Sequence, residues 1–209
     1  MNTNNLVFIS GPQGAGKTTL VNLIACQNIL IPELKTKTLS LDTEPKTRLA
    51  LKICQRALEN FEYLQIAEAN PEKIILGNRC IYDQRAFNEV YVRHGWLTQH
   101  EREQYDTLAE LLYPSALSNP KAIILNPGFE VVWQHLQRRW ETEEKKWHED
   151  DREYVHYACD AYLPLKEAPS VFYIDNEISL DSSRDVEAVQ SWLEAATNIP
   201  LLREDFVAP

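Results

Sequence analysis

The chain has 209 residues, 44% of them hydrophobic and 25% charged, and 31 acidic against 21 basic residues give a net charge of −10. This size suits one α/β domain with a full core, or at most a domain plus a small lid. The acidic balance argues against a large nucleic-acid surface, because phosphate contacts need a basic stripe. Local cations in a cleft can still bind a small phosphorylated substrate.

Nothing in the sequence indicates a membrane or secreted protein. No run approaches the roughly 20 apolar residues of a membrane span, and the first residues lack the basic start and long apolar stretch of a secretory signal. The four cysteines lie far apart, with no C-x-x-C and no metal-ligand spacing with histidine. We therefore expect a cytoplasmic protein with buried, reduced thiols and no membrane partner.

The first predicted strand, residues 6–9, leads into the run G-P-Q-G-A-G-K-T-T at 11–19 and then into a helix with apolar residues at helical spacing. The run fits G-x-x-x-x-G-K-[ST], the phosphate-binding loop of nucleoside-triphosphate-binding proteins. Its glycines let consecutive N–H groups point at phosphate oxygens, and the helix adds donors and the positive end of its dipole. The expected contacts are Gly11, Gln13, Gly14, Ala15, Gly16, Lys17, Thr18 and Thr19.

Two residues of this loop have individual roles. Lys17 is placed to reach the β- and γ-phosphates, and the Thr18 hydroxyl can ligate Mg²⁺. The loop therefore predicts ATP and Mg²⁺ as cofactors.

Strands and helices alternate along the rest of the chain. Further strands are predicted at residues 38–41, 73–77, 122–125 and 171–174, and helices at 46–67, 83–93, 98–113, 129–140 and 186–193. Five short apolar strands with helical crossovers predict an α/β fold with a parallel sheet covered by helices on both faces. Right-handed crossovers place the carboxyl ends of the strands at one edge, so residues 11–18, 42–44 and 78–83 should converge on one cleft.

The segment 138–153 breaks this pattern with dense charge of both signs and two tryptophans. One interpretation is a solvated helix with i,i+4 ion pairs. The other is a mobile lid that closes on phosphates with Arg138, Arg139 or the lysines.

These motifs resemble the deoxynucleoside kinase and thymidylate kinase group of P-loop kinases over nearly the whole chain. Glu44-Pro45 is similar to the Glu-Pro of those enzymes, and N-R-C-I-Y-D-Q-R at 78–85 to their E-R-S-[IV]-Y-S-D-R. Residues 129–139, the charged segment and E-Y-V at 153–155 follow the order of their lid helix and the E-Y-L beyond it. The resemblance implies a five-stranded parallel sheet in one P-loop kinase domain spanning residues 1–209, with a helical lid at about 138–153.

The resemblance also implies roles for single residues. By this resemblance, Glu44 is the general base for the 5′-hydroxyl of the acceptor. Gln55 supplies the amide that hydrogen-bonds the edge of the nucleobase. Arg139 is the lid arginine that supplies positive charge to the transferred phosphate, and Asp175 begins the loop that contacts adenine. From the residues alone, Glu44 before a proline can equally be a helix-start residue.

Three further residues keep alternatives open. Arg79 is either an ion pair at the edge of the sheet or a clamp between the donor phosphates and the acceptor, and its place after a buried strand favours the clamp. Asp83 can pair with Arg79 or Arg85, or meet a sugar hydroxyl. Arg48 either binds the phosphate of a monophosphate acceptor, as an arginine near this position does in thymidylate kinases, or caps a surface.

The chain departs from the family pattern in three places. The acid that precedes the motif arginine and helps hold Mg²⁺ is Asn78 here. Of the lid arginines R-x-x-x-R-x-R only Arg139 fits, with His135 and Glu141 at the flanking positions. The segment between Glu44 and Arg79 is also short, closer to thymidylate kinases.

The leading hypothesis is a kinase that moves the γ-phosphate of ATP to the 5′-hydroxyl of a deoxynucleoside. One alternative is a deoxynucleoside monophosphate kinase, and another is a P-loop kinase for a different small hydroxyl acceptor. A third, kept open by Asn78, is a nucleotide-binding regulatory module without efficient chemistry. The sequence leaves the base preference and the oligomeric state open, a homodimer being one possibility.

Overall fold

The computed structural model describes residues 3–35, 37–179 and 182–202. Its centre is a parallel sheet of five strands in the order β2-β3-β1-β4-β5. The strands are β1 Leu6–Ser10, β2 Ile29–Leu30, β3 Ile74–Asn78, β4 Lys121–Leu125 and β5 Val171–Ile174. Strands β1, β3 and β4 are almost continuously buried, which suits a sheet covered on both faces. The predicted fold class is confirmed.

Seven α-helices are described. They are α1 Lys17–Ile24, α2 Pro45–Ala69, α3 Ile81–Arg93, α4 Gln99–Leu112, α5 Phe129–Arg139, α6 Arg152–Ala161 and α7 Ser183–Thr197. Short 3₁₀ helices occupy Ser115–Leu117 and Leu163–Glu167. A capping box is present at the start of α4, where the Thr98 hydroxyl accepts from the Glu101 N–H and the Glu101 carboxylate accepts from the Thr98 N–H.

The strand predicted at residues 38–41 is wrong. The second strand is Ile29–Leu30, which pairs with Ile74 and Ile75 of β3, whereas Leu41 is 59% exposed. The two leucines of 38–41 alternate with polar residues, but no neighbouring strand lies beside them, and pairing decides what becomes a strand. Residues 42–44 therefore end a loop that returns to α2 and do not directly follow a strand.

Packing around the sheet explains two details of the sequence. Gly77 of β3 faces Phe8 of β1, and a Cβ on Gly77 would come within 2.6 Å of the phenyl ring, so only glycine fits there. On α2, Phe61 is 43% exposed although it continues the helical spacing of Ile53 and Ala57, because the buried position one residue earlier belongs to Asn60. The Asn60 amide donates to the carbonyl oxygens of Arg56 and Arg79.

The cysteines and the helices can be compared with the expectation of buried, reduced thiols and no membrane partner. All four cysteines are free, and Cys80 and Cys159 are buried as expected, whereas Cys54 is exposed. Within the described ranges, no helix combines the length and the apolar character that crossing a bilayer requires.

Candidate active site

The phosphate-binding loop lies between β1 and α1 at the carboxyl edge of the sheet. Gly11, Gly14 and Gly16 have φ angles of +133°, +78° and +91°, which side chains with a Cβ resist. A Cβ on Gly11 would also lie 2.1 Å from the Leu125 carbonyl oxygen. Gly16 caps α1 without a side chain, so the N–H groups at the start of that helix remain open to phosphate oxygens. The backbone of the loop thus fits the phosphates of ATP.

Lys17 sits at the centre of a group of cations. Its Nζ donates to the carbonyl oxygens of Gly11, at 2.9 Å, and Pro12, at 2.6 Å. Burial, and then the positive charge of Arg79, hold the pKa of Lys17 well below its usual range; Arg56 and Arg139 act in the same direction. These cations come from four separate parts of the chain, so the fold gathers positive charge beside the loop.

Arg79 stands directly after β3, and its guanidinium reaches this group. Its Nη1 donates to Asp83 Oδ1 at 3.0 Å, and its guanidinium lies over the Phe87 ring, 5.0 Å from the centroid. Its backbone has a φ of +67°, a left-handed conformation that costs a residue other than glycine roughly 1–2 kcal/mol. The Arg79 N–H donates to the Ile9 carbonyl at 3.1 Å, which holds the residue in that conformation. Such local strain is typical of functional sites.

Asp83 pairs with Arg79, which decides between the alternatives left by the sequence, while Arg85 pairs with Glu110 instead. Five groups donate to the carboxylate of Asp83: the Ser10 hydroxyl, the N–H groups of Gly11 and Cys80, the Arg79 guanidinium and the Tyr162 hydroxyl. Burial alone would raise the pKa of Asp83, but Arg79 and these hydrogen bonds hold it below its usual value. A carboxylate has about four lone-pair sites, so Asp83 has little capacity left for a sugar hydroxyl.

Helix α2 contributes a row of cations, of which the sequence analysis singled out only Arg48. Arg48, Lys52 and Arg56 follow one another at four-residue spacing, so they share one face of the helix. The Nη1 of Arg56 donates to the Asn78 carbonyl oxygen at 3.1 Å. Burial, and then Arg56 and Arg48, lower the pKa of Lys52 to about 8. The four-residue spacing after Glu44-Pro45 is the signal that could have found this row.

Two predicted substrate residues lie along the same part of α2. Arg48 donates to the Ser40 carbonyl oxygen at 2.7 Å, and its guanidinium lies 4.7 Å from the centre of the Trp147 ring. Gln55 Oε1 accepts from Lys52 Nζ at 2.9 Å, and its Nε2 is buried without a hydrogen-bond partner in the described ranges. Because Lys52 can only donate, the oxygen of the amide must face it and the NH₂ group is left to bind.

Glu44 is the N-cap of α2. Its carboxylate accepts from the N–H groups of Lys46, at 3.0 Å, and Thr47, at 2.8 Å. The bond from Thr47, and then that from Lys46, lower the pKa of this exposed carboxyl, so Glu44 is ionised at neutral pH. The described contacts of Glu44 include none with Lys17 or Arg79. Glu44 therefore caps the start of α2 and does not belong to the group of cations.

The charged segment after α5 is packed more tightly than a solvated helix. Arg139, the last residue of α5, pairs with Glu149, whose side chain is fully buried. Trp147 is 7% exposed and stacks on Tyr91, with ring centres 5.6 Å apart. Arg138 is exposed. The segment therefore lies against α3 and carries Arg139 towards the phosphate-binding loop.

The residues predicted to hold the adenine and the metal lie at the edges of this site. Asp175, just after β5, pairs with Lys166 at 2.6 Å. Thr18 is exposed beside the loop, and the described ranges hold no cluster of three or more His, Cys, Asp or Glu that could bind a metal. Mg²⁺ commonly takes one or two protein ligands with water and substrate phosphates, so the Thr18 hydroxyl fits such a role.

Of the comparisons with known proteins, one identifies a family and another supports the fold. The family model described as deoxynucleoside kinase matches residues 7–196. No curated protein matches the sequence. The fold is similar to deoxyadenosine kinase from M. mycoides with bound dATP, at a TM-score of 0.66 and 16% identity over 90% of this chain and 98% of that one. The same enzyme with the products dCMP and a flexible dCDP gives a TM-score of 0.61 at 17% identity, covering 91% and 99%.

Proposed function

Because this chain belongs to the deoxynucleoside kinase family and is a phosphotransferase of that kind, we propose that it moves the γ-phosphate of ATP to the 5′-hydroxyl of a deoxynucleoside at the cation group beside residues 11–18. One observation carries the proposal. In a chain with a net charge of −10, Arg79, Arg56 and Arg139 lie near Lys17 beside the glycine-rich loop, and after burial their positive charges contribute to lowering the pKa of Lys17. Backbone carbonyl oxygens hold the Lys17 ammonium, and Glu59, Asp83 and Glu149 each pair with one of the arginines. Four cations held in one place in this way suit a ligand that brings several negative charges.

In this proposal Lys17, Arg79 and Arg139 take part directly in phosphoryl transfer. When bound, ATP with Mg²⁺ supplies the phosphoryl group and part of the charge that stabilises it. Lys17 exchanges the carbonyl oxygens of Gly11 and Pro12 for the β- and γ-phosphates, Thr18 holds the metal, and Arg79 and Arg139 neutralise the equatorial oxygens. The residues of 138–153 act as the lid that carries Arg139, in one kinase domain. We place the protein in the cytoplasm, where free cysteines stay reduced.

The acceptor side of the proposal uses α2. Glu44 accepts the proton of the 5′-hydroxyl, and it must leave at least one of its capping bonds to do so. The NH₂ group of Gln55 hydrogen-bonds a base edge. Asp175 lies on the adenine side. Arg48, which is bonded to Ser40 and stacked on Trp147, connects the acceptor side to the lid and is already engaged without a substrate phosphate.

A substrate panel tests the proposed function. We expect purified enzyme with ATP and Mg²⁺ to phosphorylate at least one of the four deoxynucleosides with a kcat/KM at least tenfold above that of the corresponding monophosphate. The measurement is thin-layer analysis of labelled ATP with each acceptor. A tenfold preference for a monophosphate that collapses in Arg48→Ala would contradict the proposal. Transfer to none of the eight would also contradict it, and would leave a kinase for another hydroxyl acceptor or a regulatory module.

We also propose that the chain forms a homodimer through the outer face of α2. Leu51, Cys54, Leu58 and Phe61 are all exposed on one stripe, at spacings of three, four and three residues. This is the a/d spacing by which helices pack on each other. The stripe borders a groove of about 580 Å³ that also contains Leu112 and Pro114. Because the projecting Leu58, 69% exposed, and the groove lie on the same face, a two-fold axis would let each copy fill the other's groove.

Light scattering tests the dimer. We expect the wild type to have twice the mass of one chain at micromolar concentration and Leu58→Asp to have the mass of one chain, because a charge cannot be buried unpaired in the groove. Leu163→Asp, which changes an exposed leucine outside the stripe, is the matched control and should remain dimeric. A monomeric wild type would contradict the proposal.

A further inference from the structure

Tyr162 is a fully buried aromatic residue beside the phosphate-binding loop, and no motif pointed to it. It follows α6, its side chain has no exposed surface, and its hydroxyl donates to Asp83 Oδ1 at 2.7 Å. The same hydroxyl accepts from Arg79 Nη1 at 3.4 Å. Burial, and then the negative charge of Asp83, raise the pKa of Tyr162 well above its usual value, so the hydroxyl stays protonated and donates.

We propose that Tyr162 is a positioning residue that fixes the guanidinium of Arg79 for phosphoryl transfer. Tyr162, Asp83 and Arg79 form a closed triangle of hydrogen bonds in which each pair is in contact. Both bonds that Arg79 makes in the triangle use Nη1, and within the described ranges Arg79 Nε and Nη2 make no hydrogen bond. The triangle therefore holds one end of the guanidinium and leaves the other two nitrogens for phosphate oxygens in bidentate geometry.

The triangle also connects parts of the molecule that must act together. Asp83 binds the Ser10 hydroxyl and the Gly11 N–H at the start of the loop, and Tyr162 ends the helix that follows the charged segment. Without Tyr162, Asp83 can still pair with Arg79, but the guanidinium loses its second hydrogen-bond partner and is held less firmly against rotation. Small misplacements of a group that contacts the reacting phosphate are costly to the rate.

The test is Tyr162→Phe, which removes only the hydroxyl, and it rests on the proposed function because the readout is phosphorylation of the best deoxynucleoside. We expect kcat to fall about tenfold or more while KM for ATP stays within about threefold, since the variant misplaces Arg79 without removing it. In an Arg79→Ala background the same change should alter kcat less than about twofold, because the two residues act as a unit.

The matched control is Tyr157→Phe. The Tyr157 hydroxyl donates to Glu153, one turn earlier along the chain, at 2.8 Å, and its described contacts include neither Asp83 nor Arg79, so its loss should leave kcat unchanged. A Tyr162→Phe enzyme with the kcat of the wild type overturns the proposal. So does a loss that is equally large with and without Arg79, since that would mark a structural role. The wild-type rate in the same assay reports the proposed function separately.

Discussion

Lys17→Ala is expected to lower kcat by about 10²–10³-fold or more, the effect of removing a placed charge from a transition state that is stabilised mainly by electrostatics. The ammonium of Lys17 is held by the carbonyl oxygens of Gly11 and Pro12 and is one of the group of cations beside the loop. Its loss removes the charge closest to the γ-phosphate. The measurement is kcat for the best deoxynucleoside at saturating ATP.

The fold should not suffer from this substitution. Because burial and neighbouring cations depress the pKa of Lys17, its charge opposes folding at neutral pH, and Lys17→Ala should keep the melting temperature or raise it slightly. Circular dichroism should be unchanged. Lys121→Ala, at the amino end of β4, is the matched control and should keep full activity. Wild-type turnover in Lys17→Ala would contradict the assignment of residues 11–19 as the phosphate-binding loop.

Glu44→Gln is expected to lower kcat by about 10²-fold or more with little change in KM for ATP, if Glu44 is the general base. The amide keeps the size of the side chain but cannot accept a proton. Since hydrogen bonds from Thr47 and Lys46 lower the pKa of Glu44, the carboxylate is available above that pKa and is lost as pH falls through it. The acid limb of kcat/KM should therefore lie below the ordinary glutamate range and disappear in Glu44→Gln.

Capping must be separated from catalysis here, because Glu44 is the N-cap of α2. Thr98→Ala removes the corresponding cap of α4 and is the matched control: it should lower the melting temperature without changing kcat. Glu44→Asp is a second variant that separates the two roles. Aspartate caps a helix well, but its side chain is one methylene shorter, so its carboxylate lies farther from the acceptor hydroxyl. If both variants at position 44 turn over within a few-fold of the wild type, Glu44 is only a helix-start residue and the base lies elsewhere.

The phosphate-binding loop and most of the helices and strands could be predicted because their signals are local. Backbone freedom at Gly11, Gly14 and Gly16, capping at Thr98 and the apolar runs of β1 and β4 depend on residues close in the chain. The edge strand could not be predicted in the same way. Ile29 and Leu30 form a strand because Ile74 and Ile75 lie beside them, and nothing local distinguishes them from residues 38–41.

The sequence by itself determined where the nucleotide-binding loop lies, because a glycine-rich loop between a strand and a helix makes the phosphate site from its own backbone. Only the tertiary structure decided that Asp83 pairs with Arg79 and that Arg56 and Tyr162 belong to the site. Those partners meet across the fold: Tyr162 donates to an aspartate 79 residues earlier in the chain. A buried charge needs partners wherever the fold can supply them, and a contact of that range leaves no pattern in a single sequence.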